Sequence, residues 1–199
     1  MIAFPAAVMA YLVGSIPFAV IVSRAMGLPD PRSFGSGNPG ATNVLRSGSK
    51  AAAVLTLAGD ALKGWVAVWA AIQLGMAEEI VAVVVLAVFF GHVFPVWLRF
   101  RGGKGVATAA GALFALDWRV GLAVLAVWLV VVGASRYSSL GALAASLAAP
   151  VAVYWLRGTG PFLVATGILC AMLIWRHEAN IGKLLRGEES RIGDKKAAT

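Results

Sequence analysis

Long apolar runs alternate with short polar connections along the chain. The runs cover roughly residues 3–23, 51–74, 79–98, 105–116, 119–135, 139–156 and 160–175. A spanning helix needs about 20 apolar residues, and most of these runs come near that length. The pattern predicts an all-α integral membrane protein of about seven transmembrane helices, in a single polytopic domain, 1–199. Two runs are short. Residues 105–116 make only ~18 Å of helix, against a bilayer core of ~30 Å. This run is expected as a short helix buried among others, starting at a Gly-Gly-Lys-Gly turn. Run 119–135 is also rather short. The final residues, about 188–199, are polar and are expected to fray.

Composition agrees with a membrane class. Sixty per cent of the 199 residues are hydrophobic and the mean hydropathy is +0.84, too apolar for a soluble domain of this size. The net charge is +8, and its placement is informative. Arg24, Arg32, Arg46 and Lys50 share one connection; Arg99, Arg101 and Lys104 share another; Arg136 stands in a third, and further basic residues follow from Arg176 into the tail. The intervening connections hold only Arg119 and Arg157. Basic residues collect in cytoplasmic loops, so the N-terminus is expected outside and the C-terminus in the cytoplasm. The first positive charge, Arg24, follows the first run, which does not read as a cleaved signal peptide. Cys170 is the only cysteine, which leaves no internal disulfide. No basic stripe with interleaved aromatics lies outside the apolar runs, so nucleic acid is not an expected partner.

Topology explains most of the charge. It does not explain why the basic residues sit among Gly, Ser, Asn and Thr. The first such segment is Gly35-Ser36-Gly37-Asn38-Pro39-Gly40-Ala41-Thr42-Asn43, followed by Arg46. Glycines at this density let consecutive N–H groups point into one concavity, a nest for an anion. Ser36, Thr42 and Asn43 add neutral donors, and Arg46 adds a fork suited to phosphate. The second segment runs from His92 to Thr108. Gly102, Gly103 and Gly105 allow close backbone approach to a ligand, and Lys104 is a point charge aimed by that turn. A helix starting there would add its N-terminal field, with Thr108 one turn inside. His92 is open between capping the third run and acting as a general base.

Three weaker signals complete the set. Arg136-Tyr137-Ser138-Ser139 offers a helix cap or a further donor. At helical spacing Arg176, Asn180 and Lys183 share one face, with His177 beside it and Glu189 following. That face suits an amphipathic tail on anionic lipid, but Asn180 gains nothing from lipid. Within an apolar run, Asp60 and Lys63 stand three apart, a spacing at which they can neutralise each other. Catalytic signatures are missing. No GxSxG elbow or HExxH motif occurs, and neither His92 nor His177 is followed five residues later by Asp. A covalent acyl-enzyme has no good candidate nucleophile, and no carboxylate cluster would hold a metal. Neither metal nor cofactor is expected.

The ordered set GSGNPGATNVLR at 35–46, DALKG at 60–64, GHVFPVWLRFRGGKGVAT at 91–108, RYSSL at 136–140 and RHEANIGKLLRGEE at 176–189 resembles the bacterial acyl-phosphate:glycerol-3-phosphate acyltransferases, the PlsY family. The likeness covers the whole chain in order. It departs at Glu178 or Ala179, where the family usually carries a basic residue. The resemblance implies a seven-helix enzyme of the bacterial inner membrane with its active site on the cytoplasmic side. Such an enzyme moves a fatty acyl group from acyl phosphate to the 1-hydroxyl of sn-glycerol 3-phosphate, giving lysophosphatidate and phosphate. On that reading Ser36, Arg46 and Lys104 grip phosphate, with Ser139 as a further donor. His177 and Asn180 orient glycerol phosphate, while Thr42, Asn43 and the turn glycines shape the pocket. The proton would go to the substrate's own phosphate, to His92 or to His177. Asp60, Lys63 and Glu189 are supporting residues. A transporter for an organic anion is the competing class; it would need polar groups through the bilayer, and only Asp60 and Lys63 lie there.

Overall fold

The computed structural model describes residues 2–193. Within them the regular structure is helical: α1 (Ala3–Gly14), α2 (Phe18–Ala25), α3 (Ala41–Leu45), α4 (Lys50–Gln73), α5 (Glu78–Val93), α6 (Val106–Leu116), α7 (Trp118–Ser135), α8 (Ser138–Arg157), α9 (Pro161–Arg176) and α10 (Glu178–Leu185). Segments Ala3–Ala25, Lys50–Gln73, Glu78–Leu98, Trp118–Ser135 and Ser138–Arg157 are each long and apolar enough to cross a membrane. α9 and α10 form a sixth candidate, bent by 58° where they meet. Leu, Val and Trp side chains lie exposed on several helices, among them Leu55, Leu62, Trp69, Val130, Leu147, Val151, Trp155 and Val164. In lipid such faces need no partner.

The first run is not one straight helix. It breaks at Ser15–Pro17, between α1 and α2. Pro17 has no N–H to continue the ladder, and the Ile16 carbonyl, which accepts from Phe18 N at 3.2 Å, takes a second donor from another helix. Lys63 on α4 supplies it, at 2.8 Å. The short run is Val106–Leu116, about 16 Å of helix. As expected, it lies among other helices, packed against α4, α7 and α5.

Lipid tails are as apolar as the side chains, so packing rather than water exclusion holds such helices together, and small residues let them approach. Two contacts show this. A β-carbon on Gly64 would fall 2.2 Å from the Thr108 carbonyl oxygen, and one on Gly111 would fall 1.9 Å from that of Ala61. α4 and α6 thus touch backbone to backbone at two glycines. α1 and α5 do the same, at Gly14 against Val88 and Gly91 against Tyr11. Phe89, Val85, Val88, Val120, Val153 and Leu169 fill the space between.

Candidate active site

The polar loops meet at one end of the bundle. In the first, Asn43 on α3 is the organiser. It is buried, and its Nδ2 donates to the carbonyls of Pro31 at 2.6 Å and Phe34 at 3.1 Å. Its Oδ1 accepts from Ser36 N at 3.0 Å and from Arg46 Nη1 at 3.3 Å. Gly35 has φ 61° and presses on that same oxygen, so a side chain there would meet both strain and a clash. Asn43 therefore spends its donors inside the loop, where the sequence suggested that it offers them to an anion. What it achieves is to hold the exposed Ser36 and Arg46 on one wall. Gly37 and the half-buried Asn38 follow Ser36 at the mouth; Thr42 Oγ1 lies 3.3 Å from Ser138 Oγ.

The second loop also uses its glycines inward. Gly102 N donates to the Val93 carbonyl at 3.1 Å and Gly103 N to the His92 carbonyl at 3.2 Å. A β-carbon on Gly103 would fall 2.2 Å from His92 Nε2, and one on Gly105 2.2 Å from the Phe89 ring. These glycines seat the turn on α5, a role that their sequence pattern did not reveal. Arg99 and Phe100 just before them are left-handed, at φ 52° and 61°, a conformation non-glycine residues seldom adopt. Arg176 Nη2 reaches from α9 to bind the Gly102 and Gly103 carbonyls, each at 3.2 Å. Pinned this way, the turn projects Lys104, which donates to Asn180 Oδ1.

The remaining contacts close a circuit. Asn180 Nδ2 and Ser139 Oγ both donate to Glu189 Oε1 at 2.7 Å. Arg46 Nη2 donates to Ser190 Oγ at 2.7 Å. Lys104 is surrounded by charge. Burial pushes its ammonium down to about 8; Glu189 pulls the other way, and Arg46, Arg176 and Lys183 push further down. His177 is buried, with Nδ1 2.7 Å from the Leu173 carbonyl. That carbonyl can only accept, so Nδ1 carries the proton and Nε2 is left with a lone pair. Burial, then the Lys104 charge, lower His177 to about 4.

A model of the family described as glycerol-3-phosphate acyltransferase matches residues 4–187. The chain belongs to the glycerol-3-phosphate acyltransferase family. The glycerol-3-phosphate acyltransferase of Burkholderia lata is 60% identical over 195 residues, covering 97% of this chain and 92% of its own. That of Paraburkholderia phytofirmans is 58% identical over 196 residues, covering 96% and 92%. Among solved structures, PlsY (YgiH), an integral membrane glycerol 3-phosphate acyltransferase, superposes in its glycerol 3-phosphate form with a TM-score of 0.92. The two are 37% identical, over 97% of this chain and 96% of that one. Its lysophosphatidic acid form superposes at 0.90 and is 36% identical. The PlsY kinship and the apolar helices together make this chain a multi-pass membrane protein of the PlsY type.

Of the residues expected in such a family site, Ser36, Asn43, Arg46, Lys104, Ser139, His177, Asn180, Lys183 and Glu189 converge. Thr108 does not. It is fully buried on α6, with its backbone against Gly64. His92 lies beneath the Gly102–Gly103 turn, buried, its Nδ1 3.3 Å from Asp60 Oδ1. The same oxygen lies 2.7 Å from Lys63 Nζ, so the expected Asp60–Lys63 pair is in fact a cluster of three. Sequence reasoning missed His92 as its third member, since the two segments lie on different runs. It also missed the tail. Residues 189–192 are docked rather than frayed, while 194–199 lie outside the described residues. The one signal for this was Glu188-Glu189, an acidic pair among basic residues.

Proposed function

We propose that this chain is a glycerol-3-phosphate 1-O-acyltransferase that takes its acyl group from acyl phosphate. The observation that carries the reading is the convergence of Arg46, Lys104, Arg176 and Lys183 around one polar end of a lipid-embedded bundle. Both substrates present phosphate there, and one carries a tail that belongs in lipid. Acyl phosphate is already activated, so the protein needs to align a hydroxyl on a carbonyl more than to supply a nucleophile. Such alignment can remove several kcal/mol of the barrier, roughly 7–11 at best.

The reaction is direct transfer. The 1-hydroxyl oxygen of glycerol 3-phosphate attacks the acyl carbonyl carbon, and the bond from that carbon to the phosphate oxygen breaks. The hydroxyl proton passes to the departing phosphate. Lysophosphatidate and phosphate leave. Lys104 and Arg46 hold phosphate, with Ser36 at the mouth; cations there stabilise charge as it moves to the leaving group. His177 orients the acceptor through Nε2. With its affinity for protons lowered to about 4, it is a poor base near neutral pH, which favours the substrate's phosphate as the acceptor. Asn180 takes the Lys104 ammonium directly, and Glu189, held by Ser139, fixes Asn180 in turn. His92 supports the Gly102–Gly103 turn from below, backed by Asp60 and Lys63. Ser139 is engaged with Glu189, and Cys170 lies on α9, so neither is assigned a covalent step.

Seven embedded segments fit this reading: α1 with α2 as one broken span, then α4, α5, the short α6, α7, α8 and α9. The N-terminus lies outside, and the site faces the cytoplasm of the bacterial inner membrane, where the basic loops collect. The test is an acylation assay on lipid-embedded protein with radiolabelled glycerol 3-phosphate. Label should enter lysophosphatidate with palmitoyl phosphate and not with palmitoyl-CoA. Label from palmitoyl-CoA alone would refute the donor. No product with either, from folded protein, would favour an organic-anion transporter.

A further inference from the structure

Beyond the cation cluster, the tail makes contacts that the reaction does not call for. Ile192 N donates to the Arg136 carbonyl at 2.8 Å. The Ile192 carbonyl accepts from Arg136 Nε at 3.1 Å and Nη2 at 2.7 Å. One residue of the tail is thus held at both its backbone N–H and its carbonyl by Arg136. Arg191 Nε donates to Tyr137 Oη at 3.1 Å, and its guanidinium lies 5.2 Å from the centre of that ring. Arg136 is itself left-handed, at φ 63°, and ends α7 with its carbonyl directed at the tail. Strain of this kind persists where surrounding contacts demand it.

We propose that Arg136, Tyr137, Arg191 and Ile192 form a clasp of positioning residues that sets the affinity for the acceptor, glycerol 3-phosphate. The clasp rests on the acyltransferase reading of the adjoining site. Its logic is geometric. The chain leaves α10 through Gly187, at φ 70°, and is caught again at Arg191 and Ile192. Glu188, Glu189 and Ser190 lie between two fixed ends. Glu189 ties Ser139 to Asn180, which holds Lys104, and Ser190 engages Arg46. Release one end and these residues must be ordered by the substrate itself, an entropic cost that falls on binding.

The experiment compares four variants in lipid. Truncation after Ser190 removes the clasp; truncation after Gly193 keeps it. Ile192→Pro deletes the N–H that Arg136 accepts; Ile192→Ala keeps it. In the first and third, KM for glycerol 3-phosphate should rise about tenfold, the scale of ordering a short segment on binding. Their KM for palmitoyl phosphate and their kcat at saturating acceptor should stay near wild type, and the two controls should match wild type throughout. Unchanged KM after truncation at Ser190 would overturn the clasp. So would a fall in kcat that tracks a fall in Tm, because the segment would then be a structural brace only. A wild-type protein silent with acyl phosphate would sink the parent reading instead. The clasp would still be read by the rise in Tm that glycerol 3-phosphate gives wild type. At a fixed concentration of glycerol 3-phosphate that rise should shrink on truncation at Ser190 and in Ile192→Pro and keep its wild-type size in the two controls; a wild-type rise in all four would overturn the proposal.

Discussion

Lys104 sits in a partly buried crowd of like charges, and its titration should be visible in the reaction. Burial and its cationic neighbours bring it to about 8, with Glu189 opposing them. It is charged below that pH and neutral above it. A site that needs the ammonium should lose kcat/KM as pH rises through about 8 in the free enzyme. Glu189→Gln removes the opposing charge, so the falling limb should move to lower pH. A pH–rate profile checks both; a limb that stays put or moves up would contradict the electrostatic account. Much of this residue-level picture was legible in the sequence. Arg46 and Lys104 stood out as charges set in or beside glycine-rich loops, Asn180 as an amide that gains nothing from lipid, and the role of His177 came with the family resemblance. The direction in which a residue points was not legible. Asn43, Gly102 and Gly103 read as ligand-facing, and each turns inward, because sequence composition cannot distinguish a nest for an anion from a loop folded on its own amide.

Among the helices, closeness is the governing quantity. Gly111 lets α6 rest on the Ala61 carbonyl, and Gly91 lets α5 rest on that of Tyr11. Gly111→Leu or Gly91→Leu forces these backbones apart and should lower Tm sharply in detergent, with overpacking costing ~1–3 kcal/mol or more. Thermal melting with wild-type Tm would refute the backbone contact. The Asp60–Lys63–His92 cluster gives a second test. Asp60→Ala leaves Lys63 buried without its counter-charge, at a cost of about 3–5 kcal/mol. Asp60→Ala with Lys63→Met removes both charges and should recover part of that Tm loss; no recovery would contradict the pairing. Helix positions followed well from apolar runs, the short α6 included. The break at Ser15–Pro17 and the recruitment of His92 depend on which helices become neighbours, and a periodic pattern does not contain that information.

At the scale of the whole molecule, the chain distributes its labour between lipid and water. Leu, Val and Trp face outward along the bundle, while the polar loops converge at one end. Reporter tags at the two termini should appear on opposite sides of the membrane, the C-terminal one in the cytoplasm; tags on the same side would contradict seven crossings. The reading stands most directly on Lys104, the one ammonium that the turn, Asn180 and Glu189 together hold in place. The deciding measurement is kcat/KM for transfer from palmitoyl phosphate to radiolabelled glycerol 3-phosphate, in wild type and Lys104→Ala with Tm monitored alongside. Loss of a preorganised charge at the reacting phosphate predicts a fall of roughly 10²–10³, with Tm little changed. Wild-type kcat/KM in the variant would show that the phosphate is held elsewhere and that the cation cluster is not the active site.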